Sequence, residues 1–422
     1  STLGSKSVAI GAGTLESQNF TTATDSYNVA IGHTAGGSVT TGTFNTLIGG
    51  LAGDALTTGQ QNVALGYNAL GAEDTGNKSV AVGISALAAQ NNDANNFNTA
   101  VGHQAGMSVT TGQYNTLIGG IAGDALTTGT RNVVVGYNAL TTDTLGSKSV
   151  AIGLGALQDQ NFTTATDALN TAVGHGVGSS ITTGVQNTLL GGLAGDALTD
   201  ADRNIAIGYQ ALTTDDLGSR SIAVGAGAVF SQNYATATNS HNIGIGDLSL
   251  FYNVTGVKNT FVGSAAGLGA SGNSHSSNTG IGYAAGTSIT TGGDNTFIGA
   301  LAGEDVSTGQ YNVFVGTDAG EQINVGSSNV AIGRGALEQD TKGSKTVAIG
   351  QGTLNAQNFT TATDTHNTAV GHNAGVAVTT ATVNTLLGAT AGDALETGDN
   401  NVIIGFGCDA HHPNGSNQIV IG

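Results

Sequence analysis

Histidines at four equivalent positions are the residues whose type and spacing first suggest chemistry. Each follows a glycine that ends the same short phrase, and they are His33, His103, His175 and His372. A neutral imidazole is a good ligand for zinc or nickel. Successive members of the set are at least 70 residues apart, so they do not share a metal within one chain. Three copies of one histidine could meet around a three-fold axis, whereas the simpler interpretation is a turn histidine bonded to neighbouring backbone.

Two other groups of potential metal ligands have spacings that match no known site. Cys408, His411 and His412 stand within five residues beside Pro413, which is not the spacing of a structural zinc site. Aspartates recur in Gly-Asp-Ala-Leu turns, but the Gly-Gly-x-Gly-x-Asp pattern of calcium-binding rolls is absent. An aspartate that bonds its own turn backbone explains these positions better. The sequence therefore predicts neither a metal nor a cofactor.

No catalytic constellation stands out in the sequence. There is no nucleophile elbow, and the carboxylates are scattered among predicted turns. The open alternative is a glycosidase with paired carboxylates, since neighbouring coils of a repeat protein can bring two aspartates together. That reaction needs a groove, which the sequence does not indicate. We therefore expect a protein that is not an enzyme.

A five-residue phrase positions all of these residues. It appears 24 times, for example as Asn45–Gly49 and Ser149–Gly153, and always ends in Gly preceded by Ile, Val or Leu. The residue three before the Gly is always β-branched, and the residue four before it is Asn in 18 copies. The glycines are mostly 17 residues apart, with a few spacings of 19 or 21. Such spacing is too short for a helical repeat but fits strands and turns, so it predicts a parallel β-solenoid with about 24 coils.

A second apolar position anchors most coils. It lies seven residues after the Gly, as at Leu56, or four after it, as at Leu70. The first class is followed by Thr-Thr-Gly or a variant, where we expect a second strand that ends in a turn. Residues 247–345 depart from the order in which these two classes of coil recur elsewhere in the chain, but they keep the phrase. We therefore predict one continuous solenoid domain, 1–422, without a linker.

Composition excludes several classes of protein. The chain has 422 residues, 69 Gly, one Pro and a net charge of −18. A collagen-like chain would need a Gly-X-Y period and much Pro, and a nucleic-acid partner has no electrostatic support. Cys408 alone forms no intrachain disulfide, and no apolar run is long enough to cross a membrane. The first residue is Ser and no signal peptide is visible, so we expect a processed or trimmed chain.

The two faces of the repeated strand predict an oligomer. Residues two apart share a face of a strand, so the positions one and three before each Gly are expected to fill the coil interior. The position two before the Gly then faces outward, yet it is apolar or Gly in all copies. A strand that is apolar on both faces is buried on both. We therefore expect a homo-oligomer wound about a common axis, whose interface includes Ala30, Leu47, Ala64, Leu117, Leu189, Phe261, Phe297 and Phe314.

Aromatic residues in irregular segments are the candidate receptor contacts. One set belongs to the long loop found in several coils, and the other to the irregular segment near residue 250. The alternative is that these rings cover their own coil or a subunit seam. The candidates are Phe20, Phe162, Tyr234, Phe359, Phe251 and Tyr252.

The repeated phrases resemble those of two families of fibrous proteins. Ser7–Thr14 and Ser149–Gly153 resemble the head repeats of trimeric autotransporter adhesins, which form left-handed parallel β-rolls of three chains. Asn45–Gly53 and Asn132–Leu140 are closer to shaft repeats of bacteriophage tail fibres. The end of the chain, Asn400–Gly422, is similar to the stretch that precedes a C-terminal chaperone domain in such fibres. The adhesin neck, stalk and membrane anchor have no counterpart here.

The resemblance implies a function as well as a fold. It implies a trimeric fibre segment, on a virion tail or at a cell surface, that projects and positions an attachment function. The expected partners are further copies of the chain, other fibre or baseplate proteins, and a glycan or protein receptor. A self-assembling extracellular filament or surface-layer protein is the alternative.

Overall fold

A computed structural model describes residues 3–422 and contains strands and turns but no helix within that range. The fold is a parallel β-solenoid of about 25 turns with repeats of ~17 residues, which confirms the predicted fold class. The chain divides into two compact units, Ser1–Asn204 and Ile205–Gly422, which are described separately below.

Each unit is built from very short strands. Those of the first unit are β1 (Gly4–Ser5), β2 (Val8–Ile10), β3 (Thr24–Asp25), β4 (Val29–Ile31), β5 (Thr46–Ile48), β6 (Val63–Leu65), β7 (Val80–Val82), β8 (Thr99–Val101), β9 (Thr116–Ile118), β10 (Val133–Val135), β11 (Gly146–Ser147), β12 (Val150–Ile152), β13 (Thr166–Asp167), β14 (Thr171–Val173) and β15 (Thr188–Leu190). Those of the second unit are β16 (Ile205–Ile207), β17 (Gly218–Ser219), β18 (Ile222–Val224), β19 (Thr238–Asn239), β20 (Ile243–Ile245), β21 (Thr260–Val262), β22 (Thr279–Ile281), β23 (Thr296–Ile298), β24 (Val313–Val315), β25 (Val330–Ile332), β26 (Gly343–Ser344), β27 (Val347–Ile349), β28 (Thr363–Asp364), β29 (Thr368–Val370), β30 (Thr385–Leu387), β31 (Val402–Ile404) and β32 (Ile419–Ile421).

The three-residue strands stack in register along each unit. Every one is the centre of a repeated phrase, and it pairs in parallel with the strand of the next coil. In β4 and β5, for example, Ala30 pairs with Leu47. Equivalent positions therefore form straight columns, and a residue type that recurs at one position covers a whole face of the unit.

The predicted faces of these strands are reversed in the structure. The middle residue of each strand points into its own coil, and outside the terminal coils it is almost completely buried. Its two neighbours point outward and are partly exposed. The eight predicted interface residues all have 0% exposure within a single chain, so they are core and cannot contact another copy: Ala30, Leu47, Ala64, Leu117, Leu189, Phe261, Phe297 and Phe314.

The middle residue of each strand faces inward because the coil closes around a narrow interior. One inward side chain per three-residue strand meets the second apolar anchor, such as Leu56 or Leu70, and both are fully buried as predicted. In the interior, a large side chain in one coil lies beside a small residue in the next. In the second unit Phe261 pairs beside Gly280, where an added Cβ would lie 2.3 Å from the Phe261 ring. Glycine here provides space for the ring rather than a special backbone angle.

The Gly that ends each phrase is required by the stacking of coils. At Gly49 φ is 137°, and an added Cβ would lie 2.4 Å from the carbonyl oxygen of Gly66 in the next coil. A side chain is therefore excluded by both backbone angle and space.

The Asn that opens most of the phrases joins consecutive coils. The Asn45 side chain donates to the Gly59 carbonyl at 2.8 Å, and its oxygen accepts from the backbone N–H of Asn62 at 3.0 Å. These buried amides satisfy backbone groups that strands of three residues leave unpaired.

The second strand expected after Thr-Thr-Gly does not form. Thr40 and Thr41 are bends, although the Thr40 backbone N–H and hydroxyl both donate to the Thr57 carbonyl of the next coil. Two-residue strands appear instead in coils with long loops, as in the pairing of β11 with β13. Threonine hydroxyls thus replace part of a strand ladder at these turns.

Candidate functional site

The repeated histidines project from the turns into solvent. His33, His103, His175 and His372 are all exposed, and the hydroxyl of Thr34 lies 3.4 Å from the His33 Nδ1. Within residues 3–422 no three His, Cys, Asp or Glu side chains are grouped so that they could hold a metal ion. The alternative in which copies of one histidine share a metal concerns an assembly and is not tested by a single chain.

The terminal turn does not gather its potential ligands. Cys408 is a free, half-buried thiol, while His411 and His412 are exposed. The backbone N–H of His411 donates to the Gln418 side chain at 2.8 Å. The Nδ1 of His412 accepts from the backbone N–H of Asn414 at 3.2 Å. The histidines thus take part in local turn structure.

The long-loop aromatics are buried, which corrects their prediction as receptor contacts. The exposed fractions are 5–6% for all four of them, namely Phe20, Phe162, Tyr234 and Phe359. The Tyr234 hydroxyl donates to the Gly256 carbonyl of the next coil at 2.8 Å. The aromatic side chains of the long loop are therefore part of the packed fold and are not displayed to solvent.

Phe251 and Tyr252 are half-buried and pack against other rings. The ring of Phe251 stacks on Phe230 at 4.6 Å between centroids and meets Tyr252 edge-on at 4.7 Å. The same irregular segment buries His275, whose ring lies edge-on to Phe261 at 5.6 Å. Burial lowers the pKa of His275 to about 4. The segment therefore packs largely on itself.

Each unit contains buried clusters of a carboxylate and an amide, here called acid–amide clusters, that sequence reasoning missed. In one of them Gln160 donates to Asp143 at 2.6 Å, while its oxygen accepts from Asn170 at 2.9 Å. The other oxygen of Asp143 accepts from the backbone N–H of Gly146 at 2.9 Å. Equivalent pairs are Glu73 with Gln90, Asp215 with Gln232, and Asp340 with Gln357.

Burial dominates the electrostatics of these clusters. It raises the pKa of Glu73, Asp143 and Asp215, and donated hydrogen bonds oppose the rise only in part. A sequence signal for the clusters exists. In coils with Leu four residues after the phrase Gly, the position seven after it is Asp, Glu, Gln or Asn instead of an aliphatic residue. Because the carboxylates are enclosed and hydrogen-bonded, they are structural groups.

A column of left-handed residues runs beside the strands and is here called the left-handed column. It consists of the residue five before each phrase Gly, and all 24 have φ between 51° and 63° although none is Gly. Eight of the ten Lys and Arg residues of the chain stand in it: Lys6, Lys78, Arg131, Lys148, Arg203, Arg220, Lys258 and Lys345.

In the first unit, two pairs of stacked aromatic rings stand next to basic residues of this column. Phe97 stacks on Tyr114 at 5.6 Å. Lys78 lies over the outer face of this pair at one end and Arg131 at the other, at 5.0 and 5.6 Å from the ring centroids. Since cations and rings already occupy these faces, the column does not offer them to a ligand.

The outward face of the strands is a continuous apolar surface in each unit. The positions one and three before the phrase Gly are Val, Ile, Leu or Thr in every copy. Exposed examples are Leu65 at 42%, Ile118 at 39%, Ile281 at 43% and Leu387 at 47%. Contiguous exposed apolar surface of this kind is typical of protein interfaces, so this face is the candidate functional surface.

Among the described residues there is no helix with the length and hydrophobicity needed to span a membrane. The sequence matches no known protein family and no curated protein.

Proposed function

We propose that this chain is a non-enzymatic fibre segment that assembles as a homotrimer, projects from a virion tail or cell surface, and positions an attachment function. One observation carries the proposal: each unit presents an outward strand face made only of Val, Ile, Leu and Thr. Parallel strands that are apolar on both faces belong to sheets covered on both sides. Another copy of the same chain supplies a matching cover.

Energetics favour coverage of this face. The outward side chains are already partly buried, so removing the rest of their surface from water contributes about 1 kcal/mol for each large aliphatic residue. The contribution accumulates coil by coil along each unit.

The three-fold order rests on the resemblance of the phrases to trimeric fibre and adhesin repeats. A structural role also fits the enclosed state of the acid–amide clusters, whose carboxylates are engaged by amides and backbone N–H groups.

The test is the light-scattering mass of the purified chain and of a variant of its outward face. We expect three times the chain mass for the wild type. Ile118→Lys combined with Ile152→Lys places two charges in one outward row, and we expect this variant to be monomeric. Both side chains point away from the coil interior, so its thermal unfolding should stay cooperative.

A matched control adds charge elsewhere. Thr164→Lys lies in an exposed loop and should leave the mass at three chains. A monomeric wild type contradicts the proposal, as does an unchanged mass for the double variant. An open-ended mass distribution would favour the filament or surface-layer alternative.

A further inference from the structure

A polar groove of about 250 Å³ lies on the turns that follow strands β24, β25, β27 and β29 of the second unit. Two glycines in successive coils, Gly335 and Gly352, form part of its lining, and the exposed side chains of Arg334 and Gln351 stand at its rim. The glycines have φ of 61° and 65°. Both stand two residues after a phrase Gly, and the equivalent residue of the preceding coil is Asp318 with φ of 58°. Because a side chain is tolerated there, the two glycines open space rather than satisfy the backbone.

Polar groups lean into the space that the glycines leave. A Cβ added to Gly335 would lie 2.7 Å from Glu338 Oε2, and one added to Gly352 would lie 2.4 Å from Asn373 Oδ1. Asn355 donates to that same Glu338 oxygen at 2.7 Å, which holds one wall in place. The groove is thus lined by carboxamide and carboxylate groups.

Several of these groups have no partner inside the protein. Within residues 3–422 the guanidinium of Arg334 and the amides of Gln351 and Asn373 make no side-chain hydrogen bond, and Arg334 forms no ion pair. Together they offer donors and acceptors within one concave surface. Such a mixture suits a ligand with many hydroxyl groups, each of which both donates and accepts.

Charge narrows the class of ligand. Arg334 is the one basic side chain among the lining residues, and Asp318 and Glu338 oppose it with two carboxylates. The groove is therefore slightly negative, and it lies on a chain of net charge −18. Both features disfavour phosphate, sulfate or carboxylate ligands.

The first unit holds a counterpart that lacks these features. Gly155 and Gly176 also stand in successive coils with φ of 64° and 60°. There an exposed Leu154 stands in place of Arg334, and the Leu193 side chain, in place of Asn373, lies 3.0 Å from the position of a Cβ on Gly176. A polar group remains, because Gln158 Oε1 lies 3.3 Å from the position of a Cβ on Gly155. The counterpart therefore has leucines where the groove has Arg334 and Asn373.

We propose that the groove between Arg334 and Asn373 binds a neutral saccharide unit of a glycan. Arg334, Gln351 and Asn373 would donate to and accept from its hydroxyl groups. No aromatic ring lines the groove for stacking, so the affinity should be weak, with a Kd on the order of 1 mM. This inference rests on the proposed attachment function and gives it a class of ligand, and all of the lining residues belong to a single chain.

The test uses the full chain with lactose, maltose and N,N′-diacetylchitobiose as neutral probes and 3′-sialyllactose as an anionic probe. Ligand-observed NMR should detect at least one neutral disaccharide. Gly352→Asn should abolish that signal by filling the groove, and Arg334→Ala should weaken binding about tenfold through the loss of hydrogen bonds from a charged donor. Light-scattering mass and thermal unfolding should be unchanged in both variants.

Gly155→Asn is the matched control, because it places the same side chain at the equivalent turn of the first unit and should leave binding intact. The proposal is overturned if no neutral probe binds, if only the sialylated probe binds, or if Gly352→Asn binds as well as wild type. Release of monosaccharide from a probe would identify a glycosidase and overturn a role in binding alone. None of these results depends on the mass, so the fibre proposal is judged separately.

Discussion

A buried carboxylate in a solenoid coil needs a specific set of donors, and Asp143 shows how the repeat provides them. One oxygen accepts from the Gly146 backbone and the other from Gln160. Phe162 of the long loop is 5% exposed, and its backbone N–H donates to Asp143 at 3.4 Å. The long loop therefore supplies a further donor to the buried carboxylate.

Titration of Asp143 should make stability depend on pH. Burial raises its pKa in the native state above the unfolded value of about 3.9. Its contribution to stability is therefore complete below the unfolded pKa and is lost as pH rises through the native pKa. We expect wild type to gain stability relative to Asp143→Asn as the pH falls from about 7 to about 4, by about 1.4 kcal/mol per unit of pKa difference. Denaturant titrations at several pH values measure this change.

Asp159→Asn is the control for that experiment. Asp159 is an exposed carboxylate of the next coil, so its replacement should leave the pH dependence of wild type in place. A stability difference between wild type and Asp143→Asn that stays constant with pH would contradict the role assigned to burial.

At the scale of the element, the turn before each strand has a left-handed residue that almost any side chain occupies. The left-handed column contains Lys, Arg, Tyr and Phe, and even the β-branched Val383 at φ 61°. Left-handed backbone places Cβ close to the carbonyl oxygen and costs roughly 1–2 kcal/mol for an ordinary residue. Coil stacking must over-determine this geometry, because the strain recurs in every coil.

Val383→Asn should therefore stabilise the second unit by about 1 kcal/mol, since Asn adopts the left-handed region more easily than a β-branched residue. Val383 is 49% exposed, so little apolar burial is lost. The denaturant midpoint of the variant measures the gain.

The next coil offers the reverse change. Asn400 occupies the same column at φ 58°, and Asn400→Val should lower the midpoint by a similar amount. Equal effects of the two substitutions in the same direction would show that backbone strain does not control stability at this column.

At the scale of the whole molecule, charge is strongly segregated. The chain has 28 acidic and ten basic residues, and most of the basic ones stand in the left-handed column. Three of them pair with exposed aspartates of the next coil, as Lys6 does with Asp25 at 2.7 Å. The remaining negative charge is carried by every copy, so copies repel one another at long range.

Association through the apolar strand face should therefore strengthen with salt. Raising ionic strength from about 0.01 M to about 0.1 M shortens the screening length from about 30 Å to about 10 Å. We expect the fraction of trimer at a fixed low protein concentration to rise over this range, as measured by analytical ultracentrifugation. A fall would instead indicate that ion pairs between the left-handed column and acidic turns of another copy hold the assembly together.

The repeated phrase by itself determined the solenoid. A β-branched residue three before each Gly, an aliphatic one before it and a 17-residue spacing admit parallel coils and exclude helices, because strand and turn preferences repeat at equivalent positions. The second anchors, such as Leu56 and Leu70, were also assigned correctly to the core. These features are local or periodic, so no long-range information is needed to identify them.

Only the tertiary structure decided which strand face is inside. In these three-residue strands the middle residue is apolar or Gly, and its neighbours are aliphatic or Thr, so polarity does not distinguish the two faces. Leu47 was for this reason predicted to face outward, although it lies in the core. The direction of coil closure selects the inner face. The same closure brought Gln160 to Asp143 and opened the groove at Gly352, because residues 17 apart meet only when coils stack. Such contacts depend on the stacking of coils, which no single phrase encodes.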